Sequence, residues 1–396
     1  MKFNEKTVLF TLAAIQFTHI MDFMIVMPLG PQLMRIFNIT PQQFGFIVAS
    51  YTIAAGIFGF AAAFFIDRFD RRKALLVCYS GFAIGTIACA LSPGYEMLLL
   101  ARMATGAFGG IIGTLVLSII GDLIPFERRA SAMGMVMMAF SLASVFGVPF
   151  GLFLSNQFNW HAPFLLLGGL GGVILFFIYR NIPSITSHIQ HASVRQNPLV
   201  MVKEIVSDSN HLVALSVMLF LMLGQFTVIP YISPYMVSNV GFSESQLPYI
   251  YLAGGLASMI SMPLIGKLAD KYGKLRIFTI FIFASLIPIY LITNMQMVSL
   301  PVALAVTTLF FIVMGGRSIP ATTMISAAVE PKNRGSFMSL NTAVQQLSAG
   351  LASFIGGLIM VKSSSGAMEN YEIIGYIAIV SSMFCLFAAR SIKTRS

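Results

Sequence analysis

Long apolar blocks alternate with short polar ones along the whole chain. The blocks run to roughly 20 residues, the length needed to cross a hydrocarbon core of about 30 Å. Read this way, the pattern predicts twelve helical spans, at residues 7–29, 43–66, 74–92, 97–123, 132–155, 163–179, 212–237, 246–269, 277–295, 298–329, 335–361 and 371–390. The tenth includes a polar extension toward Glu330. A membrane barrel would instead show short segments of alternating polarity. The expected fold is therefore an all-α membrane protein. The longest polar connection separates a first bundle, 1–180, from a second, 212–396, six spans each. Within that linker, 181–211, Asn197-Pro198 precedes Leu199, Val202 and Val206. This is either a short interfacial helix, with Asn197 as cap and Pro198 in the first turn, or a flexible connection. Lys2 and Lys6 ahead of an apolar run imitate a signal peptide. The run is long, contains Asp22 and lacks a small-residue cleavage site, so it is expected to be a retained first span.

The polar punctuation repeats. Asp67-Arg-Phe-Asp-Arg-Arg-Lys73 follows the second span, and Gly266-Lys-Leu-Ala-Asp-Lys-Tyr-Gly-Lys-Leu-Arg276 follows the eighth. Arg129-Ala-Ser-Ala-Met133 is echoed by Arg334-Gly-Ser-Phe-Met338. Two echoes at nearly one spacing mean that the chain is two copies of one unit.

Composition agrees with the pattern: 57% of residues are hydrophobic and 10% charged, against roughly 25% charged in a soluble domain. The net charge of +10 invites a nucleic-acid reading, which the distribution removes. With the N-terminus inside, the outer loops carry only Arg35 and Lys362, and Arg102 and Arg317 fall within spans. The remaining basic residues all lie in inner segments, so both termini are expected in the cytoplasm and no nucleic-acid partner is implied. Cys78, Cys89 and Cys385 fall in apolar runs, and no disulfide is expected.

Six spans plus six, with an acidic-basic loop after the second span of each half, resembles the major facilitator superfamily. The family's loop motif is Gly-x-Leu-Ala-Asp-Arg-x-Gly-Arg-(Arg/Lys)-(Arg/Lys). The second loop matches it at Gly266, Leu268, Ala269, Asp270, Lys271, Gly273, Lys274 and Arg276. The first keeps Asp67, Arg68, Arg71, Arg72 and Lys73, with Ala63 and Asp70 where glycine is usual. The resemblance covers the whole chain and implies two pseudo-symmetric six-helix bundles, a monomer, and transport of a small molecule by alternating access, in the inner membrane of a bacterium. A carboxylate at a span's inner end is well placed against the free backbone donors of another helix start. Asp67 is thus expected near Gly335, Asp270 near Ala132, and Asp122 beside Arg68 or Arg71. The resemblance implies that this network latches the outward-facing state. The competing reading is that these charges only set topology.

Asp22 lies well inside the first span, where charge is costly and usually faces a cavity or a partner. Gln16, His19 and Asp22 recur every three residues and share roughly one helical face. Burial disfavours ionisation of such an acid and a nearby cation favours it, which suits proton coupling. A structural acid paired permanently with arginine is the alternative. Arg102-Met-Ala-Thr-Gly106 in the fourth span is similar to the family's Arg-x-x-x-Gly motif, whose buried arginine is implicated in proton transfer; a packing or snorkelling arginine is the plainer reading. Gly106, Gly109, Gly110 and Gly113 give that helix a small-residue face for close packing. In the fifth span, Gly147-Val-Pro149-Phe-Gly151 partly resembles the bend signature of drug:proton antiporters, with the glycine-proline pair split by Val148. In the second half, Arg317, Asn341, Gln345, Gln225, Tyr231 and Tyr235 are expected, with Gln16, to line a substrate cavity. Arg317 either meets an anionic group of the substrate or donates between helices.

Neither a phosphate loop, a metal cluster nor a nucleophile constellation stands out, so no enzyme activity and no cofactor are expected. The favoured function is proton-coupled export of a small hydrophobic or amphipathic, drug-like compound, with proton, substrate and lipid bilayer as partners. The resembled branch also contains sugar exporters. A symporter or uniporter for a polar metabolite, a lipid translocator and a receptor that has lost transport are the rivals.

Overall fold

The first helix starts where Asn4 places its side-chain carbonyl over the free amides of Lys6 and Thr7, at 3.1 and 3.4 Å, satisfying two of the orphan donors of a helix start. The computed structural model describes residues 4–62, 64–186, 198–330 and 334–393, without the side chains of residues 67, 126, 127, 130 and 198–201. In chain order its helices are α1 (Glu5–Ile25), α2 (Gly30–Ile36), α3 (Pro41–Ala62), α4 (Arg71–Ala90), α5 (Tyr95–Leu123), α6 (Phe126–Leu142), α7 (Val148–Gln157) and α8 (His161–Asn181). They continue with α9 (Pro198–Ser207), α10 (Ser209–Phe226), α11 (Ile232–Tyr235), α12 (Leu247–Tyr272), α13 (Lys274–Thr293), α14 (Leu300–Ala327), α15 (Arg334–Ile359) and α16 (Tyr371–Arg390). Among the described residues, twelve segments are long and apolar enough to cross a membrane.

Several boundaries differ from the hydropathy reading. The first span ends at Ile25 rather than 29, and Pro31 opens the separate short helix α2. The tenth ends at Ala327, short of Glu330. Val361, expected to close the eleventh span, pairs instead in a two-stranded hairpin, β1 (Val361–Lys362) against β2 (Met368–Glu369). The seventh crossing, Ser209–Val240, is not one regular helix. It breaks around Pro230 and Pro234, whose missing amide donors interrupt the ladder. In the linker a helix does form, at Pro198–Ser207; its expected cap, Asn197, lies outside the described residues.

The chain divides into two compact units, Met1–Val26 with Ser50–Pro198, and Met27–Ala49 with Leu199–Ser396. The same pairing scheme recurs in each. In the first, α4 packs on α5 and α8, and α1 packs on α6 and α8. In the second, α13 packs on α14 and α16, and α10 packs on α15 and α16. These are corresponding members of the two sequence copies, so the duplication read from the loops is a duplication of helix packing. The core of the first unit gathers Leu12, Ile15, Tyr79, Phe82, Ile112 and Leu115; that of the second gathers Leu221, Phe278, Ile325, Phe337 and Cys385. Many other large apolar side chains, among them Phe10, Phe146, Phe176 and Phe387, point outward, as a surface solvated by lipid tails permits.

Within the second unit, residues 27–49 pack with the later helices. Arg35 forms a two-pronged ion pair with Glu244, and the rings of Phe46 and Phe354 lie 5.0 Å apart.

The glycine face of α5 does what its spacing predicts at two positions. A methyl group at Gly106 would stand 2.2 Å from Tyr51 O, and one at Gly110 2.1 Å from Ala55 O. The two backbones therefore touch where any side chain would part them. Gly113 is different: a methyl there would meet nothing within 4 Å.

Candidate functional site

Asp22 sits in the last turn of α1, fully buried, and Arg102 reaches it from α5 at 1% exposure. Arg102 Nη1 donates to Asp22 Oδ2 at 2.6 Å and to the Asp22 carbonyl at 3.3 Å. Thr86 of α4 donates to the other carboxylate oxygen at 3.1 Å. The guanidinium lies 4.3 Å over the ring of Tyr51 from α3, a favourable stacking for a desolvated cation. Four helices of the first unit thus hold one ion pair. Such a pair is held by its mutual attraction and its extra hydrogen bonds, because each charge alone is costly in a low-dielectric interior. Thr86 and Tyr51 carry no signal in the sequence: one threonine or tyrosine in an apolar span looks like any other.

His19 and Gln16 lie on α1 about one and two turns before Asp22. The His19 ring lies among Tyr51, at 6.3 Å between centroids, and Phe82, at 5.8 Å. Neither of its nitrogens has a hydrogen-bond partner among the described residues, and the same holds for Gln16 Oε1 and Tyr51 Oη.

At the start of α4, Arg71 Nε donates to Asp122 Oδ2 at 3.0 Å. Of the two partners expected for Asp122, Arg71 is the one it meets, while the Arg68 side chain is exposed. Arg72 stacks at 4.6 Å on Tyr179 and donates to that residue's carbonyl. Asp70, which departs from the family motif, has a local task. Its carboxylate caps α4 by accepting from the Lys73 amide at 3.0 Å and also accepts from the Ser184 hydroxyl. Burial pushes its pKa up, but the Ser184 hydroxyl and the Lys73 and Arg72 amides outweigh it and hold the carboxyl below its ordinary value. Ala63 and the side chain of Asp67 lie outside the described residues.

The second loop is built differently. Gly273 turns the chain at φ +93° between α12 and α13, a conformation that side chains disfavour. Asp270 meets Lys274 at 3.4 Å, but its side chain is 77% exposed. Lys271 lies 5.1 Å over Tyr272. A methyl at Gly266 would meet nothing within 4 Å, so packing inside its unit does not demand that glycine. Arg276 is exposed.

In the fifth span the helix widens just before Pro149. Ala143–Gly147 forms a π-helical turn in which the Val148 amide donates back to Ala143 O. A methyl at Gly151 would stand 2.7 Å from Ile25, and one at Gly147 3.1 Å from the Met21 sulfur. The antiporter-like stretch is thus a distorted helix pressed onto α1 at Met21 and Ile25, on either side of Asp22. The π turn has no sequence signature of its own; proline and glycine signalled only that the helix is disturbed nearby.

In the second unit Arg317 is fully buried. It donates to Ser382 Oγ at 2.8 Å, to Gly224 O at 3.0 Å and to Ser285 Oγ at 3.4 Å. These are the contacts of an interhelical donor, one of its two expected roles. Tyr231 and Tyr235 are buried, and their hydroxyls donate to Ser353 O at 2.6 Å and Met295 O at 2.9 Å; both serve helix packing. Asn341 is 1% exposed with its side-chain oxygen unpartnered among the described residues, and Gln225 and Gln345 are half-buried.

Comparison with known proteins bears on the whole arrangement. The profile of the Major Facilitator Superfamily matches residues 12–316 and, in a second alignment, 214–395. An MFS-type transporter of Bacillus subtilis (strain 168), YceJ, is 22% identical over 90% of each chain. A protein of Helicobacter acinonychis (strain Sheeba) named as a probable sugar efflux transporter is 22% identical over 60% of this chain and 59% of its own. Among solved structures, a bacterial homologue of the human lysosomal transporter Spinster, inward-facing and unoccupied, superposes with a TM-score of 0.76 at 17% identity, covering 98% of this chain and 97% of that one.

Proposed function

The chain belongs to the Major Facilitator Superfamily, and on that premise we propose that it exports a small, amphipathic compound in exchange for protons by alternating access. It is a multi-pass membrane transporter, not an enzyme. The observation that carries the coupling is the buried Asp22–Arg102 pair, 2.6 Å apart inside one bundle. A carboxylate in such a place stays ionised only while its cation and hydrogen bonds remain, so a change of packing around it is a change of proton affinity. In the proposed cycle, protons from outside reach Asp22 and loosen its hold on Arg102. The inward-open state follows, and substrate entering from inside displaces the proton.

The charge distribution supports both termini lying in the cytoplasm, in the inner membrane of a bacterium, with a monomer as the working unit. The Arg71–Asp122 pair supports a role for the first inner loop in stabilising one conformation. Asp67 and Asp270 are proposed to complete that latch. The distorted helix at Gly147, Pro149 and Gly151 is proposed to favour antiport by sealing the inner half of the first bundle.

A second reading has an observation of its own: the name of the Helicobacter relative supports a sugar or related metabolite as the cargo. One experiment tests coupling and cargo together. Inverted vesicles with an imposed pH gradient receive lipophilic cations, neutral drugs and sugars, with wild type or Asp22→Asn in the membrane. Dissipation of the gradient by wild type alone supports proton antiport through Asp22. A transported compound that gives the same response with both proteins removes Asp22 from the mechanism.

A further inference from the structure

A cleft of about 730 Å³ opens in the second unit where three segments meet: the end of α9, the start of α10 and the residues that follow α16. Small-molecule sites measure roughly 300–1,000 Å³. The walls are fixed to the core behind them. Ile205 of α9 is buried in the hydrophobic core of the unit. Asn210, buried at the start of α10, pins the tail behind α16. Its Nδ2 donates to Lys393 O and Ala328 O, both at 2.8 Å, and its Oδ1 accepts from the Lys393 amide at 2.8 Å.

The cleft carries charges of both signs that do not answer one another. Lys203 and Glu204 stand on the α9 wall and Lys393 on the tail, all three exposed. None of their side chains has an ion pair or hydrogen bond among the described residues. Asp208 adds a second acid, already engaged as the cap of α10, where it accepts from the Asn210 amide at 2.8 Å. Position matters as much as charge. Two of the membrane-length segments, Ser209–Val240 and Tyr371–Arg390, begin and end at this cleft. It therefore lies where those spans reach the polar edge of a bilayer, at the level of the lipid headgroups. Beside its lining residues in the chain, Val206 and Leu212 are exposed apolar groups that acyl chains can cover.

We propose that this cleft binds the headgroup of a zwitterionic phospholipid carrying a primary ammonium, of the phosphoethanolamine type. The phosphodiester is held between Lys203 and Lys393, and the ammonium donates to Glu204. A purely anionic headgroup would satisfy the lysines but set its charge against Glu204 and Asp208. A trimethylammonium headgroup has the right charges but no N–H to donate, and loses the charge-assisted bond to the carboxylate. The proposal requires only that the chain lies in a membrane, and it is independent of cargo and proton coupling.

The test is binding of phosphatidylethanolamine, phosphatidylcholine and phosphatidylglycerol with identical acyl chains to the purified, delipidated full-length protein, titrated in detergent and read by native mass spectrometry. Wild type is expected to bind phosphatidylethanolamine about tenfold more tightly than phosphatidylcholine, the effect of one charge-assisted hydrogen bond, and more tightly than phosphatidylglycerol. Glu204→Ala is expected to bring phosphatidylethanolamine down to the level of phosphatidylcholine and leave the latter unchanged. Lys203→Ala with Lys393→Ala is expected to weaken both, because both carry the phosphate. All three substitutions fall on exposed side chains without partners, so unfolding temperatures are expected to match wild type. Equal binding of phosphatidylethanolamine and phosphatidylcholine by wild type, or a preference that survives Glu204→Ala, overturns the proposal. Tighter binding of phosphatidylglycerol also overturns it, in favour of a general anionic site. If glycerophosphoethanolamine, the headgroup without acyl chains, competes as well as the whole lipid, the ligand is a soluble phosphodiester and the membrane source falls.

Discussion

Arg102 Nη1 lies 2.6 Å from Asp22 Oδ2, and neither side chain is more than 1% exposed. The two charges depend on each other unequally. A stranded carboxylate can take a proton and become neutral, whereas a stranded guanidinium stays charged. Removing one partner of a buried pair costs about 3–5 kcal/mol, while replacing both with apolar residues costs far less. Asp22→Leu is therefore expected to lower stability more than Arg102→Met, and the double variant to be more stable than Asp22→Leu. Thermal unfolding of the four purified proteins decides it; simple additivity of the two losses would show that the pair is not coupled.

Asp70 makes stability depend on pH. Its carboxyl is held below its ordinary value in the folded state, with burial overcome by the Ser184 hydroxyl and then by the Lys73 and Arg72 amides. Its contribution is therefore full above its unfolded pKa, near 3.9, and is lost as pH falls through the lower folded pKa. Asp70→Ala should cost about 1 kcal/mol at neutral pH, the usual price of a lost helix cap. Asp70→Asn should keep much of the cap but flatten the acid limb of the stability profile. An acid limb unchanged in Asp70→Asn would assign it to other carboxylates.

The contact of Gly106 with Tyr51 O leaves no flexible atom to give way, because the neighbour is backbone. Gly106→Ala should part α3 from α5 and cost about 1–3 kcal/mol, as overpacking does. Gly113→Ala, in open space on the same helix, should be neutral or stabilising, since alanine favours helix over glycine. Equal unfolding temperatures for the two variants would refute the packing argument.

Arg317 has three hydrogen-bond acceptors and no acidic partner among the described residues. If it joins helices, Arg317→Gln should lower stability while leaving the apparent KM for a transported substrate nearly unchanged. A large rise in KM for anionic substrates alone, with stability retained, would instead make it a substrate ligand.

Much of this was legible in the residues. Apolar blocks of membrane length, the repeated loops at Asp67 and Asp270 and the one-sided placement of lysine and arginine required twelve spans in two copies, because lipid leaves the backbone no partner but itself. Spacing alone set Gln16, His19 and Asp22 about a turn apart along the first span and marked Arg102 as a partner. The tertiary structure decided what spacing cannot express. It chose Arg71 over Arg68 for Asp122, brought Thr86 and Tyr51 to the ion pair, and bonded Arg317 to Ser382, Gly224 and Ser285. It also broke the regular helices at Ile25, at Ala143–Gly147 and near Pro230. Hydropathy records how much a residue avoids water, and a helix face records direction about one axis only. Which polar atom meets which depends on the packing of several helices at once, and that information exists only when the chain is folded.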